Sequence, residues 1–129
     1  MKTGDVFKQA YIVSEDVYDT FIGLFDDNNP LHTDAEFARS KGFPGKVMHG
    51  NILNGFLSHF IGECLPLKNV IIQCQDIKYH KPVFINDRLE LQAEIIEYSE
   101  AVSVFIFKFR FVNGQDIKVS SGKIQIGLI

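Results

Sequence analysis

The sequence predicts an α+β domain in which a long central helix packs against one face of a curved antiparallel sheet. Three observations predict this class. Helical periodicity dominates the first half of the chain, and two-residue alternation dominates the second half. Residues 50–62 are apolar over a broad helical face, as expected of a helix buried against a sheet. The strands that follow are consecutive, which favours hairpin connections and helix-on-sheet packing.

Length, composition and charge set the bounds on function. The 129 residues are enough for one domain with one core, and 46% of them are hydrophobic, which is ordinary for a globular protein. A formal net charge of −3 argues against nucleic acid as a partner, because no basic stripe is present to displace counterions from phosphates. No segment reaches the about 20 apolar residues of a membrane helix, so no membrane partner is expected.

The cysteines and the start of the chain indicate a compartment. Cys64 and Cys74 suit a reducing environment and show no metal-ligand spacing. The first twenty residues contain four acidic residues and lack the apolar run of a signal peptide. We therefore expect a cytoplasmic protein, and no metal or cofactor is expected.

The first half of the chain predicts one strand and two helices before the central helix. Residues 6–13 alternate as a strand, and Ser14 is typical of a helix cap. The apolar face of the first helix consists of Val17, Phe21, Leu24 and Phe25. Pro30 ends that helix. Thr33 and Glu36 have the spacing of a capping box for a second, short helix. The two glycines and the proline of residues 42–45 then end this helix.

The second half predicts the central helix and four strands. The apolar face of the helix over 50–62 consists of Ile52, Leu53, Phe56, Leu57, Phe60 and Ile61. Strands are expected over residues 69–80, 87–98 and 102–112, and from residue 117 onward. Asn113-Gly114 is typical of a tight hairpin turn. The apolar parity of the last strand slips, which predicts a β-bulge around residues 120–122.

One strand face carries the aromatic core. It consists of Phe105, Phe107, Phe109 and Phe111. We expect this face to pack on the central helix and the alternate residues Lys108 and Arg110 to face solvent. A long helix wrapped in this way by an antiparallel sheet is the hot-dog arrangement.

Residues 27–32, Asp-Asn-Asn-Pro-Leu-His, carry the clearest chemical signal. A carboxylate and an imidazole can move a proton on and off water near neutral pH. Pro30 favours their presentation from a turn. The same residue types also form ordinary turns, so the segment alone leaves a purely structural interpretation open.

Three blocks in order resemble a known family. Residues 27–34 match the motif D-x-N-P-[IL]-H-x-[DE], residues 43–50 resemble a segment that ends in His-Gly before the central helix, and residues 81–87 resemble a Pro-Val-x-x-Gly-Asp connection. The chain thus resembles the MaoC-like, or (R)-specific enoyl-CoA hydratase, branch of the hot-dog proteins over about residues 5 to 100.

The resemblance implies four catalytic positions. Asp27 and His32 hold the reacting water between them, and which of the two is the base stays open. Asn29 orients that water or the imidazole. The main-chain N–H of Gly50, at the start of the central helix, faces the thioester oxygen as it becomes enolate-like.

Other positions concern the substrate pocket and two departures from the motif. His49 is expected in the pocket wall, with plain packing as the alternative. Asn51 replaces an apolar residue and predicts a more polar pocket or a helix-start amide. Asp26 and Asn86 replace glycines of the family, and both residue types tolerate a positive φ.

The expected activity is hydration of trans-2-enoyl thioesters to (R)-3-hydroxyacyl thioesters, or the reverse dehydration. The implied substrates are thioesters of CoA or of an acyl-carrier protein, and a homodimer is the expected assembly. A hot-dog acyl thioesterase and a non-catalytic acyl-thioester-binding module are the alternatives, because one scaffold hosts many chemistries.

Overall fold

The computed structural model describes residues 1–129. The strands are β1 (Val6–Ile12), β2 (Val70–Tyr79), β3 (Arg88–Ser99), β4 (Val104–Asn113) and β5 (Lys118–Leu128). The helices are α1 (Glu15–Phe25), α2 (Pro30–Thr33), α3 (Ala35–Ser40) and α4 (Asn51–His59), and a π-helical turn, Phe60–Cys64, follows α4 directly. The strands form one antiparallel sheet in the order β1-β3-β4-β5-β2. None of the helices has the length and apolarity that crossing a membrane requires.

The core lies between the inner face of the sheet and the central helix. The buried residues of α4 and its π turn are Ile52, Leu53, Leu57, Phe60 and Ile61. They belong to one cluster with the phenylalanine face of β4, of which Phe107 and Phe111 are fully buried. Lys108 and Arg110 are exposed on the outer face. The predicted α+β class and the predicted orientation of β4 are therefore confirmed.

The last hairpin differs from the prediction in two details. Asn113 ends β4, and its side-chain oxygen accepts hydrogen bonds from the main-chain N–H groups of Gln115 and Ile117. The loop is therefore longer than a tight Asn-Gly turn, and its positive φ falls on Asp116. The bulge places Val119 between two successive pairs of the β4–β5 ladder, just before the expected residues 120–122.

The short helices also correct the predicted caps. Ser14 caps α1 as expected, accepting from the N–H of Val17 at 3.2 Å. The prediction that Pro30 ends α1 is wrong, because α1 already ends at Phe25. Pro30 instead occupies the first turn of α2, where its missing N–H removes no helical hydrogen bond. The cap of α3 is Asp34, whose Oδ1 accepts from two main-chain N–H groups. The predicted Thr33 cap is wrong, because Thr33 Oγ1 donates back to the preceding turn.

Two positions adopt the left-handed backbone that the sequence predicted. Asp26 has φ 53° and Asn86 has φ 70°. A short polar side chain tolerates this region better than other non-glycine residues. The chain therefore leaves α1 through Asp26 and enters the segment that carries Asp27 and His32.

Candidate active site

Tyr18 of α1 contacts the main chain of two segments of the candidate site. It is fully buried, and its hydroxyl lies against two main-chain oxygens, those of His32 and of Val47, the latter at 3.0 Å. Burial, with a smaller contribution from Asp19, raises the pKa of Tyr18 to about 12. The phenol therefore stays protonated and donates to these carbonyls.

His32 lies in α2, so a one-turn helix rather than an irregular turn presents it. Its Nδ1 lies 2.7 Å from the carbonyl oxygen of Val47. A carbonyl oxygen only accepts, so Nδ1 carries the proton of the neutral ring. Nε2 then keeps a free lone pair, which is what a base for water requires.

Asp27 precedes α2 and is exposed. Its side chain is 49% exposed, and Oδ1 lies 3.4 Å from the main-chain N–H of Asn29. Asn29 in turn caps α2, because its Oδ1 accepts from the N–H of Leu31 at 3.0 Å. The side-chain oxygen of Asn29 is thus engaged in the helix cap, and its amide N–H₂ group is left for other partners.

His49 links the two predicted catalytic side chains. Its Nε2 lies 3.0 Å from the main-chain oxygen of Asp27 and 3.8 Å from the Oδ2 atom of that residue. Its ring stacks on the ring of His32, with centroids 4.0 Å apart and planes at 28°. Asp27 and His32 therefore both contact His49, and the packing alternative for His49 accounts for only part of its contacts.

The start of α4 supplies unpaired donors. The main-chain N–H groups of Gly50 and Asn51 donate to no acceptor in the protein, as is usual in the first turn of a helix. Gly50 lines a cleft of about 340 Å³ together with Met48, Asn51, Leu53, Tyr79, Lys81 and Val83. Asp27 and His32 do not line this cleft.

Polar side chains of β2 and α4 form a network at the rim of the cleft. The amide of Asn54 donates to Asn51 Oδ1 at 2.8 Å and to the Tyr79 hydroxyl at 3.3 Å, and Gln75 donates to Asn54. The Tyr79 ring lies over Gly50 so closely that a Cβ there would come within 2.8 Å of it. The side chain of Asn51 therefore belongs to this network.

Sequence reasoning missed Tyr18 and Tyr79. Tyr18 reaches the site from α1 and Tyr79 from the end of β2, and neither stands in a local motif. A second cleft, apolar and about 490 Å³ in volume, lies between α1 and α4. No group of three or more His, Cys, Asp or Glu side chains has the arrangement of a metal site.

A family model and curated relatives match this chain. The model described as MaoC like domain matches residues 2–106. The mitochondrial 3-hydroxyacyl-[acyl-carrier-protein] dehydratase of Arabidopsis thaliana is 27% identical over 126 residues, 95% of this chain and 75% of the relative. The (R)-specific enoyl-CoA hydratase of Aeromonas caviae is 34% identical over 80 residues, 62% of this chain and 60% of the relative.

Solved structures match the fold. The (R)-hydratase from A. caviae involved in PHA biosynthesis superposes with a TM-score of 0.91 at 24% identity, covering 100% of this chain and 98% of that one. R-hydratase PhaJ1 from Pseudomonas aeruginosa superposes with a TM-score of 0.90 at 23% identity, covering 99% and 82%. The predicted hot-dog fold is therefore confirmed.

Proposed function

This chain belongs to the family of MaoC-like domains, and from that premise we propose that it is a hydro-lyase acting on acyl thioesters. It interconverts trans-2-enoyl and (R)-3-hydroxyacyl thioesters by adding or removing water. The named activities of its relatives, a 3-hydroxyacyl-carrier-protein dehydratase and (R)-specific enoyl-CoA hydratases, support the reaction class.

The observation that carries this proposal is the state of His32 beside Asp27. The hydrogen bond from Nδ1 to the Val47 carbonyl leaves Nε2 as an acceptor. The Asp27 carboxylate is half exposed and lies 3.8 Å from Nε2 of His49, whose ring stacks on that of His32. An imidazole acceptor and a carboxylate on neighbouring elements suit a water molecule that must lose one proton.

In the hydration direction, Nε2 of His32 takes a proton from the water as the water oxygen bonds to C3 of the enoyl thioester. The electron pair of the C2–C3 double bond moves into the thioester and forms an enolate. The imidazolium then returns a proton to C2. One water molecule is consumed, and His32 ends in its starting state while Asp27 orients the water and balances the transient positive charge.

The enolate oxygen needs donors, and the free N–H groups of Gly50 and Asn51 suit it. They stand at the N-terminus of α4, where the helix dipole favours negative charge. Loss of one such donor in other enzymes raises the barrier by about 2.7–4 kcal/mol. Asn51 thus contributes through its main chain, and its side chain belongs to the polar rim of the substrate cleft.

The test follows the loss of enoyl-thioester absorbance with crotonyl-CoA and with crotonyl carrier-protein thioester. We expect turnover to the (R)-3-hydroxy product, and Asp27→Asn and His32→Ala each lower kcat by about 10²- to 10⁴-fold. Asp26→Asn and His59→Ala are the matched controls, since they alter the same residue types next to the site or on an exposed face of α4.

Three outcomes would replace this proposal. Release of free thiol without hydration would favour a thioesterase. Tight binding of acyl thioesters without any turnover would favour a binding module. Equal loss of activity in Asp27→Asn and Asp26→Asn would show that Asp27 does not have the catalytic role proposed for it.

We propose a homodimer as the working assembly. The strands β1 and β2 leave the two edges of the sheet open, and β2 is the longer edge and bears the exposed Ile71 and Tyr79. An open edge of this kind favours pairing with another copy. Light scattering behind gel filtration should give twice the 14.6 kDa of one chain; a mass of one chain would contradict it.

We also propose a cytoplasmic location for the protein. Its two cysteines, Cys64 and Cys74, are both free thiols, as is usual where thioredoxin and glutathione keep thiols reduced. Fractionation of cells that produce the protein, with antibody detection, tests this assignment; recovery in a membrane or secreted fraction would overturn it.

A further inference from the structure

His49 is a buried polar group that the proposed reaction steps do not use. His49 is 2% exposed, whereas the buried hydroxyls of Ser120 and Tyr18 both donate to main-chain carbonyls. Nδ1 of His49 is the one buried side-chain nitrogen or oxygen in the protein without a hydrogen-bond partner. Such an unpartnered group lowers stability, so its presence calls for a reason other than packing.

The contacts of Nε2 supply that reason. Both atoms that face it, the main-chain oxygen and Oδ2 of Asp27, are acceptors. Nε2 therefore carries the proton, and the neutral ring leaves Nδ1 bare. The hydrogen bond of His49 therefore holds the main chain of Asp27, the first residue of the 27–34 motif.

Aromatic rings pack against the His49 ring. One side stacks on His32 at 4.0 Å, and the rings of Phe21 and Tyr18 lie at centroid distances of 4.8 and 5.7 Å. Asp27, His32 and Tyr18 are the titratable groups that face it. An imidazole clamped between these rings has one orientation, so its Nε2–H points in a fixed direction.

We propose that His49 is a positioning residue of the hydration reaction: it fixes the Asp27 main chain by hydrogen bonding and the His32 ring by stacking, and so sets the distance between the carboxylate and the imidazole. This inference rests on the proposed function. A displacement of about 1 Å between reacting groups can lower a rate about 100-fold, so the role is measurable.

The test separates the donor of His49 from its ring. His49→Phe keeps an aromatic ring against His32 but removes the donor, whereas His49→Gln places an amide N–H near the position of Nε2. We expect His49→Phe to lower kcat by about 10- to 100-fold with KM changed less than about 2-fold. His49→Gln should recover part of this loss. His59→Phe, the same exchange at an exposed histidine, should leave both constants unchanged.

A double-mutant cycle distinguishes positioning from a general structural effect. If His49 acts through Asp27, His49→Phe should lower kcat less than about 3-fold in the Asp27→Asn background. A full, multiplicative loss in that background would overturn the proposal, as would full activity of folded His49→Phe in the wild-type background. Absence of turnover in the unmodified protein instead counts against the proposed function.

A measurement without turnover keeps the inference testable if the variants fail to fold. Nitrogen NMR of the unmodified protein at neutral pH should show His49 with a protonated Nε2 and a bare Nδ1. The Nε2–H should be protected from exchange with solvent. A ring protonated at Nδ1 in place of Nε2 could not hold Asp27, and this result would overturn the inference whatever the enzyme does.

Discussion

Two segments build the site, and they differ in almost every physical respect. The dyad segment, residues 26–34, is exposed or half-buried, is polar, and is stabilised mostly by its own side chains. The wall segment, residues 47–53, is largely buried and is continuous with the central helix. The first carries the two groups that we propose exchange protons, and the second supplies carbonyls, N–H groups and a stacked ring that contact them.

The comparison shows that the solvent-accessible polar side chains and the rigid, buried contacts of the site lie in different segments. Proton-transfer groups need contact with water and substrate, so the dyad segment is not placed within the core. Its precision comes instead from a few ties to the wall segment, of which Tyr18 and His49 are the side-chain members and Val47 is the main-chain member. Each of these contacts can be removed by a single substitution.

Tyr18→Phe removes the donor that joins the two segments. The carbonyls of His32 and Val47 lose a buried partner, so we expect the free energy of unfolding to fall by about 1–3 kcal/mol. Urea denaturation measures this change. Tyr98→Phe is the control, because Tyr98 is partly exposed. Equal effects of the two substitutions would show that Tyr18 contributes only as an aromatic ring.

The same tyrosine makes stability depend on alkaline pH. Burial raises the pKa of Tyr18 from about 10 to about 12, so below pH 10 the phenol is protonated in both states and its contribution is complete. As pH rises further, the unfolded chain loses its proton first, and the free energy of unfolding falls until about pH 12. Burial also raises the pKa of Tyr11, so the relevant measurement is the difference between wild type and Tyr18→Phe. That difference should shrink between pH 10 and 12.

Gly50→Ala tests the wall segment from the side of the cleft. An added Cβ meets the Tyr79 ring at 2.8 Å, so the ring must move and the Asn54 network with it. We expect kcat/KM to fall by about 10-fold, since small displacements near reacting groups are costly. Gly50→Ala combined with Tyr79→Ala should regain activity relative to Gly50→Ala alone. No recovery would point to the main chain of Gly50 rather than to crowding.

Asn29→Ala weakens the dyad segment without altering Asp27 or His32. The cap of α2 is lost, and the free energy of unfolding should fall by about 1 kcal/mol. Asn29→Asp keeps a capping oxygen and should retain stability. If Asn29→Asp is stable but slow, the amide N–H₂ group of Asn29 acts on water or substrate, as the sequence predicts. If Asn29→Asp is as active as wild type and only Asn29→Ala is slow, the cap alone explains the residue.

Substitutions at Asp26 test the left-handed residue that ends α1. At φ 53° an alanine is strained, so Asp26→Ala should lower the free energy of unfolding by about 1 kcal/mol. Asp26→Gly should stay within about 0.5 kcal/mol of wild type, because glycine adopts this backbone freely. Thermal unfolding of the two variants side by side decides whether geometry or charge explains the residue.

Much of the fold follows from local patterns. Alternation identified the strands and the buried phenylalanine face of β4, helical periodicity identified α1 and the central helix, and residue type identified the left-handed backbone at Asp26 and Asn86. The strand order, the π turn after α4 and the position of the bulge at Val119 depend on contacts between distant residues. Periodicity within one segment carries no information about such contacts.

The site divides in the same way. Asp27, Asn29 and His32 stand in one motif, and Gly50 stands at a recognisable helix start, so the sequence could name them; their catalytic roles remain predictions. Tyr18 enters from the buried side of α1 and Tyr79 from the end of an edge strand. Their places depend on how helix and sheet pack, which no local spacing encodes.

The single turn of α2 has a further consequence for local unfolding of the protein. Two main-chain hydrogen bonds, from His32 to Asn29 and from Asp34 to Pro30, accompany it, and a helix this short does not persist in water. Its remaining main-chain tie is the hydrogen bond from Val47 to Leu31 at 3.1 Å. The amides of α2 therefore exchange hydrogen through a small local opening while the sheet stays protected. A ligand bound against His32 should slow hydrogen exchange in α2 more than elsewhere in the protein. Hydrogen exchange of α2 therefore reports binding at the site even when no reaction takes place.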